Sequence, residues 1–147
     1  MSGTGAAPVP LGAADLQRAM DSSPYVRDGR MRVVEFDGIG RLVLEMPLDA
    51  RCERVAGGGQ FHGGAVAGLA DTAGCFVLVG VLASAVPTVD LRVDYLRPAV
   101  AKRLRATATV RRLGRSVGVV DVDVNGDGGE LVAIARGTFR TAPPVGR

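Results

Sequence analysis

Ala65-Val66-Ala67-Gly68-Leu69-Ala70-Asp71-Thr72-Ala73-Gly74-Cys75-Phe76-Val77-Leu78-Val79-Gly80-Val81-Leu82-Ala83-Ser84-Ala85 carries a single charge, on Asp71. A run of about 20 apolar residues is long enough to span a bilayer. The flanks argue against that reading, because no Lys or Arg anchors either end. A glycine-rich segment precedes the run and an alternating strand pattern follows it. Four small residues, Gly68, Ala70, Ala73 and Gly74, surround the one carboxylate. The stretch reads as a helix buried on nearly all sides in a soluble protein.

Around it lies one domain's worth of chain, 147 residues. A chain of this length buries roughly two-thirds of its unfolded surface, enough for one core. Hydrophobic residues make up 47% and charged residues 22%, which excludes a disordered polypeptide. Trp is absent and aromatics are 4%, so the core must come from Val, Leu and Ala. Basic residues, nearly all Arg, are scattered among 15 acids and form no run that tracks a nucleic-acid backbone. Cys52 and Cys75 stand outside any C-x-x-C spacing and His62 is the sole histidine, which removes zinc ribbons and disulfide scaffolds. The N-terminus (MSGTGAAPVP) has no charged n-region and no apolar h-region. It is expected to be a flexible tail over 1–10, with a single domain over 11–147. The expected compartment is a reducing cytoplasm.

Leu11–Met20 has a short helical pattern ending near Ser22-Ser23-Pro24. Strands are expected over Met31–Phe36 and Arg41–Leu48, joined by a turn at Asp37–Gly40. After Pro87 the period switches to two. Val89, Leu91, Val93 and Tyr95 alternate with Asp90, Arg92 and Asp94; similar alternation runs through Leu104–Val110 and Val120–Val124, and Leu131–Phe139 closes the set. Turns are expected at Arg97-Pro98, Leu113-Gly114 and Asn125–Gly129. Four hairpin-linked strands imply a largely antiparallel sheet with one polar face. The sheet should curl about the apolar helix. One sheet cannot close fully on it, so a second subunit should complete the cover.

Two motifs mislead. Gly114-Arg115-Ser116-Val117-Gly118 fits the G-x-S-x-G elbow of serine hydrolases, but a strand follows it and the only histidine lies upstream. Asp121–Gly126 fits half a calcium loop, yet Val132 occupies the position of the ligating Glu. Both read as turns or strands, and no metal site is expected.

His62-Gly63-Gly64 stands where the chain turns into the buried helix. Helix N-termini offer free N–H groups and a positive dipole end to an oxyanion or phosphate. Glycine there lets a ligand approach the backbone. Asp71 lies eight residues beyond Gly63, about 12 Å along the axis. A carboxylate there is either satisfied by local hydrogen bonds or faces a cleft where it can react. One carbonyl cannot touch both groups of one chain. If the two act together, they come from different subunits about a two-fold axis.

The stretch G-G-Q-F-H-G-G-A-V-A-G-L-A-D-T-A, followed by T-V-D-L-R-V-D-Y-L-R-P-A, resembles the hotdog-fold acyl-CoA thioesterases. The nearest branch is that of the phenylacetate-pathway (PaaI-like) and 4-hydroxybenzoyl-CoA thioesterases. The similarity continues through L-G-R-S-V and E-L-V-A-I-A-R-G-T-F, covering about Arg41 to Thr141. It implies an α+β hotdog fold, an antiparallel sheet wrapped around one long central helix. It also implies a homodimer at minimum and often a homotetramer of two dimers. By position, Asp71 is the implied general base or nucleophile, and the Gly63 N–H polarises the thioester carbonyl. His62 and Gly64 shape the helix start. Coenzyme A is implied to lie along Thr88, Tyr95, Arg97, Pro98, Gly114, Arg115 and Ser116, with Arg97 and Arg115 suited to its phosphates. Many relatives carry an Asn six residues before the His. That position is Ala56 here, and Gln60 is the implied substitute.

The expected activity is thus hydrolysis of a small, aromatic or medium-chain acyl-CoA, without metal or cofactor. A non-catalytic acyl-CoA binder is the alternative, favoured by Ala56 and opposed by Asp71 after His62-Gly63-Gly64. A hotdog dehydratase pairs its His and Asp differently, and this spacing does not match it.

Overall fold

A computed structural model describes residues 7–143; of the expected tail, positions 1–6 lie outside the described residues, as do 144–147. Helix α1 (Ala13–Asp21) is followed by a one-turn helix α2 (Pro24–Asp28), strands β1 (Arg32–Phe36) and β2 (Arg41–Pro47), and the long helix α3 (Gly63–Leu82). Strands β3 (Thr88–Tyr95), β4 (Arg103–Leu113), β5 (Val117–Asn125) and β6 (Leu131–Arg140) complete the chain. The sequence anticipates all of these except α2. Ser23-Pro24 ends the first helical pattern and also starts a new turn, because Pro at the first helical position loses no bond.

All six strands form one antiparallel sheet in the order β1-β2-β4-β5-β6-β3. This corrects one expectation: β3 and β4 are not a hairpin. β3 pairs with β6 at the sheet edge, while β4 lies between β2 and β5. The connection crosses the N-terminal end of α3. Leu96 and Arg97 N–H donate to Val132 O, and Leu48 N–H donates to Lys102 O on the far side. The period-two pattern shows which residues share a face. It says nothing about which strand lies beside which.

The face that receives α3 is lined by small residues. Ala106, Ala108, Ala133, Ala135 and Gly137 lie on it, with Leu42, Leu44, Leu104, Val120, Val122 and Val124 around them. The helix meets them with glycines of its own. A β-carbon at Gly74 would lie 2.7 Å from Phe139 Cζ, and one at Gly80 would lie 2.5 Å from Phe36 Cζ. Each ring brings its Cζ end against bare helix backbone. Each glycine costs helix propensity of about 1 kcal/mol against alanine, and close packing of a buried ring offsets it. Half of α3 is buried in this way. Its opposite stripe, with Ala67, Gly68, Asp71, Cys75, Val79 and Leu82, stays half-open, and so does edge strand β3.

The outer face of the sheet is polar and paired. Arg136 grips Asp121 through two hydrogen bonds (2.6 and 2.8 Å), and Arg105 and Arg103 hold Glu45. The guanidinium hydrogen bonds hold both carboxyls below their usual range, led by Arg136 at Asp121 and by Arg105 at Glu45.

Two outcomes follow from this packing. Gly74→Ala sets a methyl against a ring with no room to move, an overpacking cost of about 1–3 kcal/mol. After the helix-propensity gain the melting temperature should fall by about 2–6 °C in a thermal scan. A carboxyl with a lowered folded-state pKa stabilises above its unfolded pKa and ceases to as pH falls through the folded value. Asp121→Asn should therefore melt below wild type near pH 6, and the gap should close as the scans approach about pH 2.

Candidate active site

The start of α3 is held from both sides. Phe61 is buried, its N–H donates to Ala99 O (3.0 Å), and His62 N–H donates to Cys52 O (2.7 Å). Bridges Glu53–Phe61 and Gln60–Val100 flank the same point. His62 stays extended (φ −64°, ψ 142°) and caps the helix, its Nδ1 accepting from Gly64 N–H at 2.9 Å. Ala65 and Val66 N–H both donate to His62 O (2.9 and 3.2 Å). Those bonds use the second, third and fourth donors of the helix. The first, Gly63 N–H, has no acceptor within the helix and sits at its positive end. Gly64 thus serves the cap while Gly63 keeps its donor. The Gly63 carbonyl accepts from the Tyr95 hydroxyl at 2.8 Å, which fixes the peptide plane on that side.

This ridge stands between two open cavities. One, of about 370 Å³, brings together Gln60, Gly63, Tyr95, Arg97 and Pro98, all expected from sequence, with Arg54, which is not. The other, of about 640 Å³, runs from His62, Gly64 and Ala65 to Tyr25, Met31 and Cys52. Sequence reasoning misses Tyr25 because Ser23-Pro24 reads as the end of α1. Arg54 carries no local signal, since only the fold brings it beside Gly63.

Asp71 lies half-buried on the open stripe of α3, and its Oδ1 accepts from Thr88 Oγ1 at 2.8 Å. The structure thus sets Thr88 beside the carboxylate rather than in the cavity with Tyr95 and Arg97. A carboxylate has capacity for several hydrogen bonds, so one hydroxyl orients it without saturating it. Cys75, one turn further, is no rival nucleophile. Burial, aided by the charge of Asp71, pushes its thiol up to about 11, and its Sγ contacts Val86 O at 3.0 Å.

Two groups of expected residues do not converge within one chain. α3 is continuous from Gly63 to Leu82, so the Gly63 donor and Asp71 remain about 12 Å apart along the axis. Gly114, Arg115 and Ser116 form the β4–β5 turn, where Gly114 N–H donates to Val117 O. A β-carbon on the neighbouring Gly118 would lie 3.0 Å from Leu78 Cδ1. Leu78 is about 22 Å along the helix from Gly63. The turn therefore belongs to the opposite end of α3.

The loop before the helix explains Ala56. Glu53 turns its carboxylate inward to accept from Gly57 N–H (2.9 Å) and Gly59 N–H (3.1 Å). Gly57 and Gly59 take positive φ (72° and 69°), which a side chain at either position would resist. A buttressed glycine loop occupies the place where an orienting amide was expected. Gln60 remains the amide nearest Gly63.

Residues 58–133 match the family model described as the Thioesterase superfamily. The medium/long-chain acyl-CoA thioesterase YigI of Escherichia coli is 33% identical over 93 residues, 53% of this chain and 60% of its own length. Thioesterase HI1161 of Haemophilus influenzae superposes with a TM-score of 0.78 at 26% identity, covering 88% of this chain and 90% of that one. The Escherichia coli PaaI protein, from the phenylacetic acid degradation operon, superposes with a TM-score of 0.76 at 28% identity, over 87% and 91% of the two chains. With a six-stranded antiparallel sheet wrapped on one long helix, the chain belongs to the thioesterase superfamily, has the hotdog fold, and is a thioester hydrolase.

Proposed function

We propose that the substrate is an acyl-coenzyme A, and that hydrolysis takes place where the Gly63 end of one helix meets Asp71 of a second copy. The observation that carries this reading is the pairing of an N–H left free by the His62 cap with a carboxylate oriented by Thr88, on one helix yet out of mutual reach. The Gly63 N–H polarises the thioester carbonyl and meets the charge that develops on its oxygen. Asp71 takes a proton from water as the water adds to the carbonyl carbon. The tetrahedral intermediate expels the thiolate, which leaves as CoA with that proton. Gln60 orients the carbonyl in place of the amide absent at Ala56. No metal or cofactor enters these steps. Direct attack by Asp71 is the variant route, and single turnover in 18O-water distinguishes it by labelling the protein.

Edge strand β3 supports the dimer. Leu91, Val93 and Tyr95 face inward with Gly137, Ala135 and Ala133 of β6, leaving Asp90, Arg92 and Asp94 outward. An antiparallel β3–β3 pair about Leu91 or Val93 sets each Arg92 opposite an Asp of its partner. A pair about Arg92 opposes like charges, which is unfavourable. Such pairing closes both sheets into one and lays the two helices antiparallel, open stripe to open stripe. The same rotation carries the Gly114–Ser116 turn of each chain toward the other's helix start. Arg54, Arg97 and Arg115 are then the groups available to the phosphates of CoA.

Asp71→Asn should cut kcat at least a hundredfold in a thiol-release assay over short, medium, long and aromatic acyl-CoAs, with the far-ultraviolet spectrum unchanged. Equal turnover by both proteins would remove Asp71 from the mechanism. Tight binding of the esters by wild type, with no thiol released, would replace hydrolysis with an acyl-CoA binding role.

Gly63→Pro isolates the other half of the site. Proline is tolerated at the first helical position, and His62 is already in the extended conformation proline demands of its predecessor. The variant should keep its fold and lose at least tenfold in kcat, since only an N–H is removed. When the two inactive variants are co-refolded, half the dimers are mixed and each holds one intact site, so roughly a quarter of wild-type activity should return. Sedimentation should report two or four chains. A monomer, or no recovery on mixing, would overturn a site shared between two chains.

A further inference from the structure

The two edges of the sheet are finished differently. β3 runs for eight residues, and among the described residues no side chain bonds to its backbone. β1 runs for five, and a bulge between Val33 and Glu35 interrupts its pairing with β2. On its outer side β1 meets Gln17 of α1. The Gln17 Oε1 accepts from Val33 N–H at 2.7 Å, and its Nε2 donates to Met31 O at 3.2 Å. A carbonyl and an N–H two residues apart are the pair that a neighbouring strand engages. The side-chain amide thus takes the place of a strand's peptide group.

Gln17 is itself held. Its Nε2 also donates to Asp21 Oδ1 at 2.9 Å, one turn along α1, and Asp21 Oδ2 lies 3.9 Å from Arg32 Nη1 on β1. Both amide protons and the carbonyl are used, which fixes the amide in one orientation. Leu16 and Met20, on the same helix, are fully buried and anchor α1 against the core. Val34, inside the bulge, remains exposed.

An edge that keeps its backbone groups free is a template for another strand. A second copy of this chain fits β1. Antiparallel pairing about Val33 sets Arg32 opposite Val34 and Met31 opposite Glu35, with no like charges facing. With both edges open, β3–β3 and β1–β1 contacts alternate and the sheet extends without closing. With β1 shut, extension of the sheet ends at two copies.

We infer that Gln17 closes the β1 edge against a second copy of this chain, leaving β3 as the edge of the sheet open to pairing. The inference goes beyond the hydrolytic reading and stands apart from it. The amide, the bulge and the bare β3 edge are features of the sheet, whatever the substrate.

The test is mass against concentration for the full chain, by sedimentation velocity. Wild type should reach a plateau as concentration rises. Gln17→Ala removes the amide, favours the helix and takes no buried apolar group from the core, so the far-ultraviolet spectrum should be unchanged. Its weight-average mass should climb past the wild-type plateau by at least about twofold, because one edge contact joins two assemblies. Adding Val34→Lys should restore the plateau. Pairing about Val33 then sets the lysine opposite Arg32, and pairing about Val34 sets it opposite itself, like charges in both registers. Gly74→Ala loosens the core with the edge still closed, and it should keep the wild-type mass. A plateau unchanged in Gln17→Ala overturns the inference, and so does growth without a plateau in wild type. Growth that Val34→Lys does not suppress, or that Gly74→Ala shares, comes from lost stability and overturns it as well. None of these readings involves thioester cleavage, so a failure of the hydrolytic proposal leaves the test intact.

Discussion

A twenty-residue helix with one charged side chain has to be covered, and the rest of the molecule is arranged around that requirement. The helix cannot remain in water with its Val and Leu exposed, and a sheet of six strands covers only the side it faces. Coverage at close range needs small residues on both surfaces. Alanines of β4 and β6 face the helix, and helix glycines face Phe139 and Phe36. Each ring fills space that a methyl on the helix would otherwise occupy. The chain has few aromatic residues, and it seats two of them where the helix has no side chain at all. Sparse aromatics and abundant glycine are thus one packing solution seen from its two sides.

The same helix carries both groups of the proposed reaction, the Gly63 N–H and Asp71. Burying its length forces its N-terminus to a place where the chain is pinned by Ala99 of the β3–β4 crossover on one side and Cys52 on the other. A pinned helix start presents its first donors in fixed directions, the pre-organisation that stabilises developing negative charge. His62 then selects among those donors. By taking the Gly64 N–H itself, it leaves the Gly63 N–H without an acceptor in the helix, on the side of the smaller cavity. Tyr95 adds to this by tying down the Gly63 carbonyl. His62 thus shapes the helix start through backbone geometry, its Nδ1 accepting from the Gly64 N–H.

What is legible in the sequence is local. The buried helix, the alternating strands, and the 63-to-71 spacing all follow from period and composition, and the structure places each near its expected bounds. The illegible features are those fixed by distant partners. Alternation in β3 is the same whether it pairs with β4 or with β6, so the crossover reads as a hairpin until the fold is seen. Thr88 lies 17 positions from Asp71, and no pattern in either segment announces their hydrogen bond. Tyr25 is further still from the residues it wraps. Ser23-Pro24 does contain a signal for α2, but a serine followed by proline marks the end of one helix as readily as the start of another.

Ala56 shows how a missing side chain is absorbed. Here three consecutive glycines fold back onto Glu53, whose carboxylate accepts from two of their N–H groups. Two of those glycines adopt backbone angles that a side chain resists. The arrangement is stiff because the carboxylate ties it together, although glycine alone makes a loop loose. Its effect is to carry the chain directly into Gln60 and Phe61, so that the remaining amide arrives next to the pinned helix start. Gln60 lies four positions beyond Ala56, in the cavity that also takes Gly63. That position places the amide in the cavity of Arg54 and Arg97 rather than in the one beneath Tyr25. The residues lining the larger cavity include no side-chain amide.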